Sequence, residues 1–288
     1  MKNPFTLLLL LCAIAPDTRG QQYAQDFGKI KVSEVTLSSY ALDKAAEAVV
    51  LYDVGNTYFS PQDDGFRIVF ERSTKIKIFT KAGLDYAQIE IPFYMENLKM
   101  ETVYDVEAYV YNMENNTLKT TAFDSRNVFE ERLNENWRVK KFALPDVREG
   151  SVIEYRYKIM SPYIFNLQDW VFQRRIPTAY SQYTVRMTPF YDYIYNFQGG
   201  TKFDYFEQRE DMMTSQFGPT QYHDMIYTFG MKNIPAFRDE EFITSISDYI
   251  MKMDFQLSVL HWPVGTNQSI ISTWPLLVEE FLRQRFKA

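Results

Sequence analysis

The chain has 288 residues, with 31 basic and 37 acidic side chains and a formal net charge of -6 at pH 7. This acidic balance argues against nucleic acid as the main partner, because proteins that bind nucleic acid usually carry a clear basic excess. One cysteine and two histidines also exclude a disulfide framework and a cysteine-rich metal site.

Residues 1–20 have the layout of a secretory signal peptide. Lys2 precedes an apolar run at 5–15, and small or polar residues follow it. The run is shorter than the roughly 20 residues that span a bilayer, so we expect cleavage after Gly20 and no transmembrane span in the mature form. The predicted product is therefore exported. Cleavage would also remove Cys12 and leave the mature chain without a thiol.

The remainder of the chain is rich in short runs of aromatic and β-branched residues, which suit strands better than helices. In FRIVFERSTKIKIFT, at 66–80, the apolar residues share one parity, which predicts a strand with one buried face. KAGLD then predicts a turn and YAQIEIPFY a returning strand, and MENN predicts a hairpin between VYDVEAYVYN and NTLKTTAF. Further strands are predicted at WRVKKFAL, SVIEYRYKI, DWVFQRRI, AYSQYTVRM, YDYIYNF, DMIYTFGM and YIMKMDFQLS.

Many strands with turns between them and no interleaved helices predict an all-β fold, an antiparallel immunoglobulin-like β-sandwich. We place this domain at 48–260, and its division into two sheets or subdomains stays open. A lead-in segment at 21–47 precedes it, with a short helix expected around LDKAAEAV. One C-terminal helix is predicted at 272–288, where Pro275 can occupy the first turn and an apolar stripe follows.

The segment LPDVREGSVIEYRYKI, at 144–159, predicts a turn followed by a strand. We expect Gly150 in the loop, and we expect Ile153 and Tyr155 to be buried because they share the parity of the apolar residues. If WRVKKFAL pairs with this strand as a hairpin, paired residue numbers should sum to an odd value. That register keeps Phe142 on the face of Ile153.

The two histidines do not form a recognisable catalytic or metal-binding motif. His223 and His261 lie far apart in the sequence and lack the spacing of zinc ligands. Glycine-rich nucleotide loops are also missing from the sequence. We therefore expect neither a metal ion nor a cofactor.

Serine and carboxylate chemistry receives equally weak support from the sequence. Ser151 follows Gly150, but the second glycine of a nucleophile elbow is missing. The acidic pair Glu130 and Glu131 and the acidic run at 239–241 are most simply solvated surface groups. A hydrolase that uses two opposed carboxylates stays a minor alternative.

One row of aromatic residues suggests binding. Tyr191, Tyr193, Tyr195 and Phe197 alternate along YDYIYNFQGG, so their rings should lie on one face of a strand. Such a row could hold a sugar or an extended peptide, although it more often packs against another sheet. A carbohydrate-binding module would use this row or exposed members of the set Trp137, Trp170, Trp262 and Trp274.

A second group of residues is basic. It consists of Arg138, Lys140, Lys141, Arg148, Arg156 and Lys158, with three acidic residues between them. A solvated sheet face is the simpler interpretation. Lys141, Arg148 and Arg156 are the candidates for contact with an anionic partner.

The segments at 70–94, 127–187 and 232–258 resemble one family, the exported bacterial domain catalogued as domain of unknown function 3857. They include FERSTKIKIFTKAGLDYAQIEIPFY and KNIPAFRDEEFITSISDYIMKMDFQLS. The resemblance implies an all-β, immunoglobulin-like module that precedes a transglutaminase-like domain with a Cys-His-Asp triad. Together with the signal peptide, it implies a location in the periplasm or at the cell surface of a Gram-negative-type bacterium. The chain stops at Ala288, where TWPLLVEEFLRQRF resembles the lead-in to that domain, so we expect the catalytic core to be missing from this chain.

Together, the resemblance and the missing thiol predict a non-catalytic accessory or scaffolding module rather than an enzyme. The expected partner is a C-terminal transglutaminase-like domain in the full-length form. The alternative is a carbohydrate- or peptide-binding module whose partner is an envelope polysaccharide or protein.

Overall fold

The structure is a computed structural model that describes residues 26–238, 245, 248–261 and 267–270. The predictions that lie outside these residues are the signal peptide at 1–20, the acidic run at 239–241, Trp262, Trp274 and the helix at 272–288. Every helix within the described ranges is too short or too polar to cross a membrane.

The described chain folds mainly into strands, with one short α-helix, α1 (Val32–Val35). The strands are, in chain order, β1 (Ala48–Gln62), β2 (Gly65–Ile78), β3 (Gln88–Glu96), β4 (Lys99–Met100), β5 (Thr102–Glu114), β6 (Thr117–Ala122), β7 (Phe129–Arg132), β8 (Trp137–Ala143), β9 (Val152–Ser161), β10 (Trp170–Val171), β11 (Thr178–Met187), β12 (Tyr191–Gln198), β13 (Tyr205–Phe217), β14 (Thr220–Ile234), β15 (Lys252–Leu260) and β16 (Gln268–Ser269). Short 3-10 helices at Lys81–Ala87 and Ser125–Asn127 connect some of them. The predicted all-β fold is confirmed.

Among the described strands, eight form one large sheet in the order β13-β14-β11-β1-β2-β9-β5-β6. Neighbouring strands are antiparallel except for β1 and β11, which run parallel. β1 lies in the middle of the sheet, and most of its residues are buried on both faces. Near-continuous apolar sequence such as AVVLY is typical of a strand in that position.

Two smaller sheets, β10-β15-β12 and β4-β3-β8-β7, pack on one face of the large sheet and produce sandwich-like layers. Trp170 of β10 stacks on Tyr183 of β11, with ring centroids 5.0 Å apart and an interplanar angle of 8°. Gly55 of β1 lies beneath the same indole, where a Cβ atom would approach within 2.3 Å. Ile91 of β3 and Ile153 of β9 belong to the same buried cluster. All three sheets therefore share one hydrophobic core.

The N-terminal segment, residues 26–47, covers part of the opposite face of the large sheet. Val35 of α1 packs against Tyr111 and Val152. The Lys77 ammonium donates a hydrogen bond to the Val35 carbonyl at 2.6 Å. As a result, the central strands are buried on both faces where this segment lies.

The short N-terminal helical segment is present as α1, but its predicted position around LDKAAEAV is wrong, because α1 lies earlier in the lead-in segment. Residues 42–47 form turns and an isolated bridge, and β1 begins at Ala48. A short apolar run without clear alternation fits either a buried helix or a strand buried on both faces, and periodicity does not separate the two. The strand forms because β1 pairs with both β2 and β11.

WRVKKFAL and SVIEYRYKI do not form a hairpin, so the condition on their register does not apply. β8 pairs with β3 and β7, while β9 pairs with β2 and β5. The burial predictions are confirmed: Ile153 and Tyr155 are 0% and 8% exposed. Gly150 lies in the turn before β9 with φ of 86°. The alternate residues of β9, on the other face of the strand, are not all exposed to solvent, since Val152 and Glu154 are both 0% exposed. The N-terminal segment shields them from water.

Candidate functional site

A concave site lies between β12 and β15 of a small sheet and the β13–β14 hairpin of the large one. We call it the aromatic cleft, and its aromatic lining is Tyr191, Tyr193, Tyr195, Tyr227, Phe229 and Phe255. Its volume is about 300 Å³, at the lower end of the roughly 300–1,000 Å³ that is usual for ligand pockets. The structure thus places three members of the predicted aromatic row in a cavity.

The alternation of YDYIYNF determines how this row is arranged on β12. Tyr191 and Tyr193 both contact Phe59 of the large sheet, with ring centroids 5.3 and 6.0 Å away. Phe197 does not line the cleft and packs on Phe203 at 4.2 Å. The row therefore joins the two sheets, and part of it also forms the cleft wall.

Tyr193 and Tyr195 have different environments within the row. The Tyr193 hydroxyl donates a hydrogen bond to the Ile164 carbonyl, and burial raises the pKa of this phenol. Tyr195 is 41% exposed, and its ring lies 5.2 Å from that of Phe229. Tyr193 is consequently an anchor of the cleft, whereas Tyr195 offers a surface to solvent.

Carboxylates and histidines border the cleft. His261 Nε2 lies 2.7 Å from Asp192 Oδ2, and this hydrogen bond raises the pKa of His261. His223 Nδ1 lies 2.8 Å from the Asp211 backbone carbonyl, so this nitrogen carries the proton. Glu210 is exposed and also lines the cleft. His223 and His261 thus both lie in this region, although they form no motif in the sequence, and each has a different partner.

A second depression, the charged groove, contains the candidate Arg156 and measures about 270 Å³. Arg156 donates two hydrogen bonds to Glu107 Oε1, at 3.1 and 2.7 Å. Lys158 Nζ lies 3.3 Å from a carboxylate oxygen of Glu71 and also 3.3 Å from one of Asp105. The carboxylates of neighbouring strands thus neutralise these two cations.

The other two basic candidates also have carboxylate partners. Lys141 Nζ lies 3.1 Å from Glu90 and 3.0 Å from Glu131. Arg148, in the turn before β9, lies 3.0 Å from Glu114. Surface ion pairs of this kind contribute about 0–1 kcal/mol. Contact of Lys141, Arg148 or Arg156 with an anionic partner stays a prediction.

Sequence reasoning missed a buried charge network around Glu154. Its carboxylate accepts hydrogen bonds from the Tyr52 and Tyr111 hydroxyls at 2.5 and 2.7 Å. It also accepts one from the Gly28 backbone N–H at 3.0 Å, and the Lys75 ammonium lies 3.1 Å away. Alternation assigned Glu154 to a solvated face, so no local signal could have identified this network.

A second buried network surrounds Asp53 of β1. Its carboxylate accepts hydrogen bonds from Arg72 at 2.9 and 2.7 Å, from the Thr74 hydroxyl at 2.8 Å, and from Arg174. Burial by itself would raise the pKa of Asp53, but the Arg174 and Arg72 guanidiniums outweigh it and lower the pKa to about 2. A carboxylate with so low a pKa is a poor general base. The network instead ties β1 and β2 to the segment that follows β10.

The serine and acidic candidates are engaged in local hydrogen bonds. The buried Ser151 hydroxyl donates to Asn112 Oδ1 at 2.6 Å and accepts from the Arg148 N–H at 2.9 Å. Glu130 forms an ion pair with Arg138 at 2.8 Å. Nowhere in the described ranges are three His, Cys, Asp or Glu residues grouped so that they could hold a metal ion.

The two described tryptophans have different environments. Trp170 is 1% exposed, and the Arg72 guanidinium lies over its ring at 4.8 Å. Trp137 is 38% exposed and packs edge-on against Tyr94 at 5.2 Å. Of these two, Trp137 is the one with surface available to a ligand.

Comparison with solved structures supports the fold. A protein from Parabacteroides distasonis, described as a "putative protease", aligns over 75% of this chain with a TM-score of 0.56 and 13% identity. The chain spans 41% of the length of that protein. At this identity the likeness shows the fold alone.

Two weaker likenesses support no structural argument. A "putative nutrient binding protein" from Legionella pneumophila aligns with a TM-score of 0.32 and 7% identity, over 73% of this chain and 67% of that one. Yeast LTA4 hydrolase aligns with a TM-score of 0.31 and 12% identity, over 82% of this chain and 35% of that one. A comparison with curated proteins finds no match.

A family model supplies the assignment. The model of DUF3857, a domain of unknown function with a solved structure, matches residues 66–238. This range is more than half of the chain and contains most of the large sheet, the β4-β3-β8-β7 sheet and the aromatic row. The resemblance seen in the sequence is confirmed, and the chain belongs to the DUF3857 family.

Proposed function

We propose that this chain is a non-catalytic accessory module of a longer, exported protein, where it supports or orients a transglutaminase-like or protease-like catalytic domain. Fold similarity is the observation that carries the proposal. The shared fold includes 75% of this chain but only 41% of the Parabacteroides distasonis protein described as a "putative protease". More than half of that protein therefore lies outside the shared fold and has room for a separate catalytic domain.

The chemistry of the described residues supports the same proposal. Papain-like catalysis needs a thiolate beside a base, and the single cysteine, Cys12, lies in the predicted signal peptide. The hydroxyl of Ser151 is hydrogen-bonded to Asn112 and Arg148, at 2.6 and 2.9 Å. Asp53 is held ionised by two arginines. These groups have structural roles, which suits a scaffold.

The way the sheets are joined also suits an orienting module. The Asp53 network connects the large sheet with Arg174, and Trp170 from the small sheet fits against Gly55 of the large one. Polar networks of this kind fix the geometry of a core when all their members are satisfied. A module with sheets joined in this way can hold an attached domain in one orientation.

An activity assay tests the proposal directly. The purified chain, starting at residue 21, would be incubated with casein, with chromogenic amides, and with a glutamine peptide plus an amine donor. We expect no turnover above the buffer blank. Turnover that disappears in a folded single-residue variant such as Ser151→Ala or His223→Ala would show that the chain is itself an enzyme.

Export is a separate part of the proposal and has its own test. Residues 1–25 would be fused to a phosphatase that is active only after its disulfides form outside the cytoplasm. We expect phosphatase activity, and we expect Leu9→Arg to abolish it by interrupting the apolar run. An inactive fusion with the unaltered leader would contradict export.

A further inference from the structure

The aromatic cleft presents side chains whose bonding capacity is unused. The hydroxyls of Tyr191, Tyr195 and Tyr227 have no hydrogen-bond partner within the described part of the chain. The rings themselves are held in place, since that of Tyr195 rests on Phe229 at 5.2 Å and that of Tyr227 is stacked 6.5 Å from the same phenylalanine. The cleft therefore offers fixed apolar ring surfaces with free hydroxyl groups at their edges.

The charges at the cleft favour one class of ligand. Asp192 and Glu210 line it, together with His223. Asp192 is already paired with His261, whereas Glu210 has no ion-pair partner in the described ranges. An anionic ligand would meet repulsion from these carboxylates, because like charges disfavour each other at short range. A neutral or cationic ligand with hydroxyl groups could instead donate hydrogen bonds to the Glu210 carboxylate and to the tyrosine hydroxyls.

We propose that the aromatic cleft binds a glycan chain that carries no acidic groups. One face of a sugar ring consists of C–H groups and can pack on the tyrosine rings, while its hydroxyls can bond the phenols and Glu210. A peptide added as a strand would take its hydrogen bonds from main-chain groups along the edge of β12, which ends its sheet among the described strands. The cleft instead offers ring faces and side-chain hydroxyls, which match the C–H face and the hydroxyls of a sugar. This binding role goes beyond the accessory function and does not depend on it.

Binding measurements with defined oligosaccharides test the proposal. The probes would be tetrasaccharides of glucose, mannose, galactose, xylose and N-acetylglucosamine, a deacetylated glucosamine tetramer, and tetragalacturonate as the anionic comparison. We expect at least one neutral or amino-sugar probe to bind with a Kd below about 1 mM and tetragalacturonate to bind at least tenfold more weakly. Preference for tetragalacturonate, or no neutral or amino-sugar binder below that concentration, would overturn the proposal.

Matched variants locate the binding site. Tyr195→Ala removes an exposed ring from the cleft and should weaken binding by tenfold or more. Tyr195→Phe removes only the hydroxyl and should cost less. Tyr249→Ala removes another exposed tyrosine, 53% accessible and outside the cleft lining, and should leave affinity unchanged. Glu210→Gln alters an exposed side chain, so it keeps the test valid if Tyr195→Ala does not fold. Unchanged binding in both the Tyr195 and Glu210 variants would place the site elsewhere.

The result is separable from the accessory function. Failure of every cleft variant to affect glycan binding would overturn the cleft proposal but would leave the activity assay unaffected. Conversely, turnover by the isolated chain would contradict the accessory role without altering the binding data.

Discussion

Replacement of Glu154 by glutamine should destabilise the protein more than its single-atom change suggests. All four groups around the carboxylate act as donors: the Tyr52 and Tyr111 hydroxyls, the Gly28 N–H and the Lys75 ammonium. Lys75 and the Gly28 N–H can only donate, whereas the two hydroxyls can rotate and accept. Oε1 faces Tyr52 and Lys75, and Oε2 faces Tyr111 and Gly28. Either orientation of the amide therefore places its NH₂ group against a group that can only donate.

The magnitude follows from burial. Glu154 is 0% exposed and Lys75 is 3% exposed. Water therefore cannot reach the Lys75 ammonium to compensate for the loss of the Glu154 negative charge. Glu34, at 3.7 Å, is then the remaining carboxylate near the Lys75 ammonium. Removing one partner of a buried ion pair typically costs about 3–5 kcal/mol. We expect about 3 kcal/mol for Glu154→Gln, which corresponds to a fall in Tm of about 6–12 °C for a domain of this size.

Urea unfolding followed by circular dichroism would measure this loss. The matched control is Glu149→Gln, which makes the same change at an exposed residue in the turn before β9 and should alter stability by less than about 0.5 kcal/mol. The amide oxygen of the glutamine should stay beside the Lys75 ammonium, which leaves the Gly28 N–H facing the NH₂ group without an acceptor. Limited proteolysis of Glu154→Gln should therefore cut faster within residues 26–36. If Glu154→Gln and Glu149→Gln unfold at the same urea concentration and are cut by the protease at equal rates, the reasoning about the buried network is wrong.

Three further predictions follow from the core. The pKa of the Asp53 carboxyl is lowered from 3.8 to about 2 in the folded protein. The ionised carboxylate therefore contributes to the free energy of unfolding above about pH 4, and this contribution is lost as the pH falls through 2. The difference in unfolding free energy between wild type and Asp53→Asn should shrink by about 2 kcal/mol from pH 5 to pH 2, and a pH-independent difference would contradict this. Gly55→Ala should cost about 1–3 kcal/mol, because the new Cβ meets the Trp170 ring at 2.3 Å; Trp170→Leu should reduce that penalty in a double-mutant cycle, and strict additivity would argue against a clash. Tyr183→Phe should cost about 1–2 kcal/mol, since its hydroxyl donates to the Gln168 carbonyl at 2.8 Å and lies 2.7 Å from the hydroxyl of buried Thr57. An unchanged urea midpoint would show that these two bonds contribute nothing.

Local features were the ones that sequence reasoning predicted well. The turn MENN does connect β5 and β6, and Asn115 and Asn116 have φ of 48° and 61°. Asparagine tolerates this left-handed region, which two-residue hairpin turns require. The long strand with one apolar parity was found as β2. Residues 88–94 of YAQIEIPFY lie in β3, and its first two residues end the preceding 3-10 helix. Each of these signals depends on neighbours within a few residues.

Strands that do not alternate were missed or misread. β1 is buried on both faces, so its sequence lacks the period of two, and its beginning was taken for a helix. β13 carries several charged residues and only one buried residue, Asp211, because it lies at the edge of the large sheet. A strand gains its pattern from what covers each face, and that information is distant in sequence.

Local sequence patterns were enough to predict the all-β class, the family, the aromatic row of β12 and the turn at Gly150, because alternation, turn residues and motif similarity are local properties of the chain. Tertiary structure decided which strands pair, and it separated β8 from β9 although they follow each other along the chain. It also decided that Glu154 is buried rather than solvated, since the N-terminal segment returns over that face. The aromatic cleft likewise exists only because β12, β13, β14 and β15 meet in space. Contacts between distant residues set these outcomes, and no window of a single sequence contains both partners of such a contact.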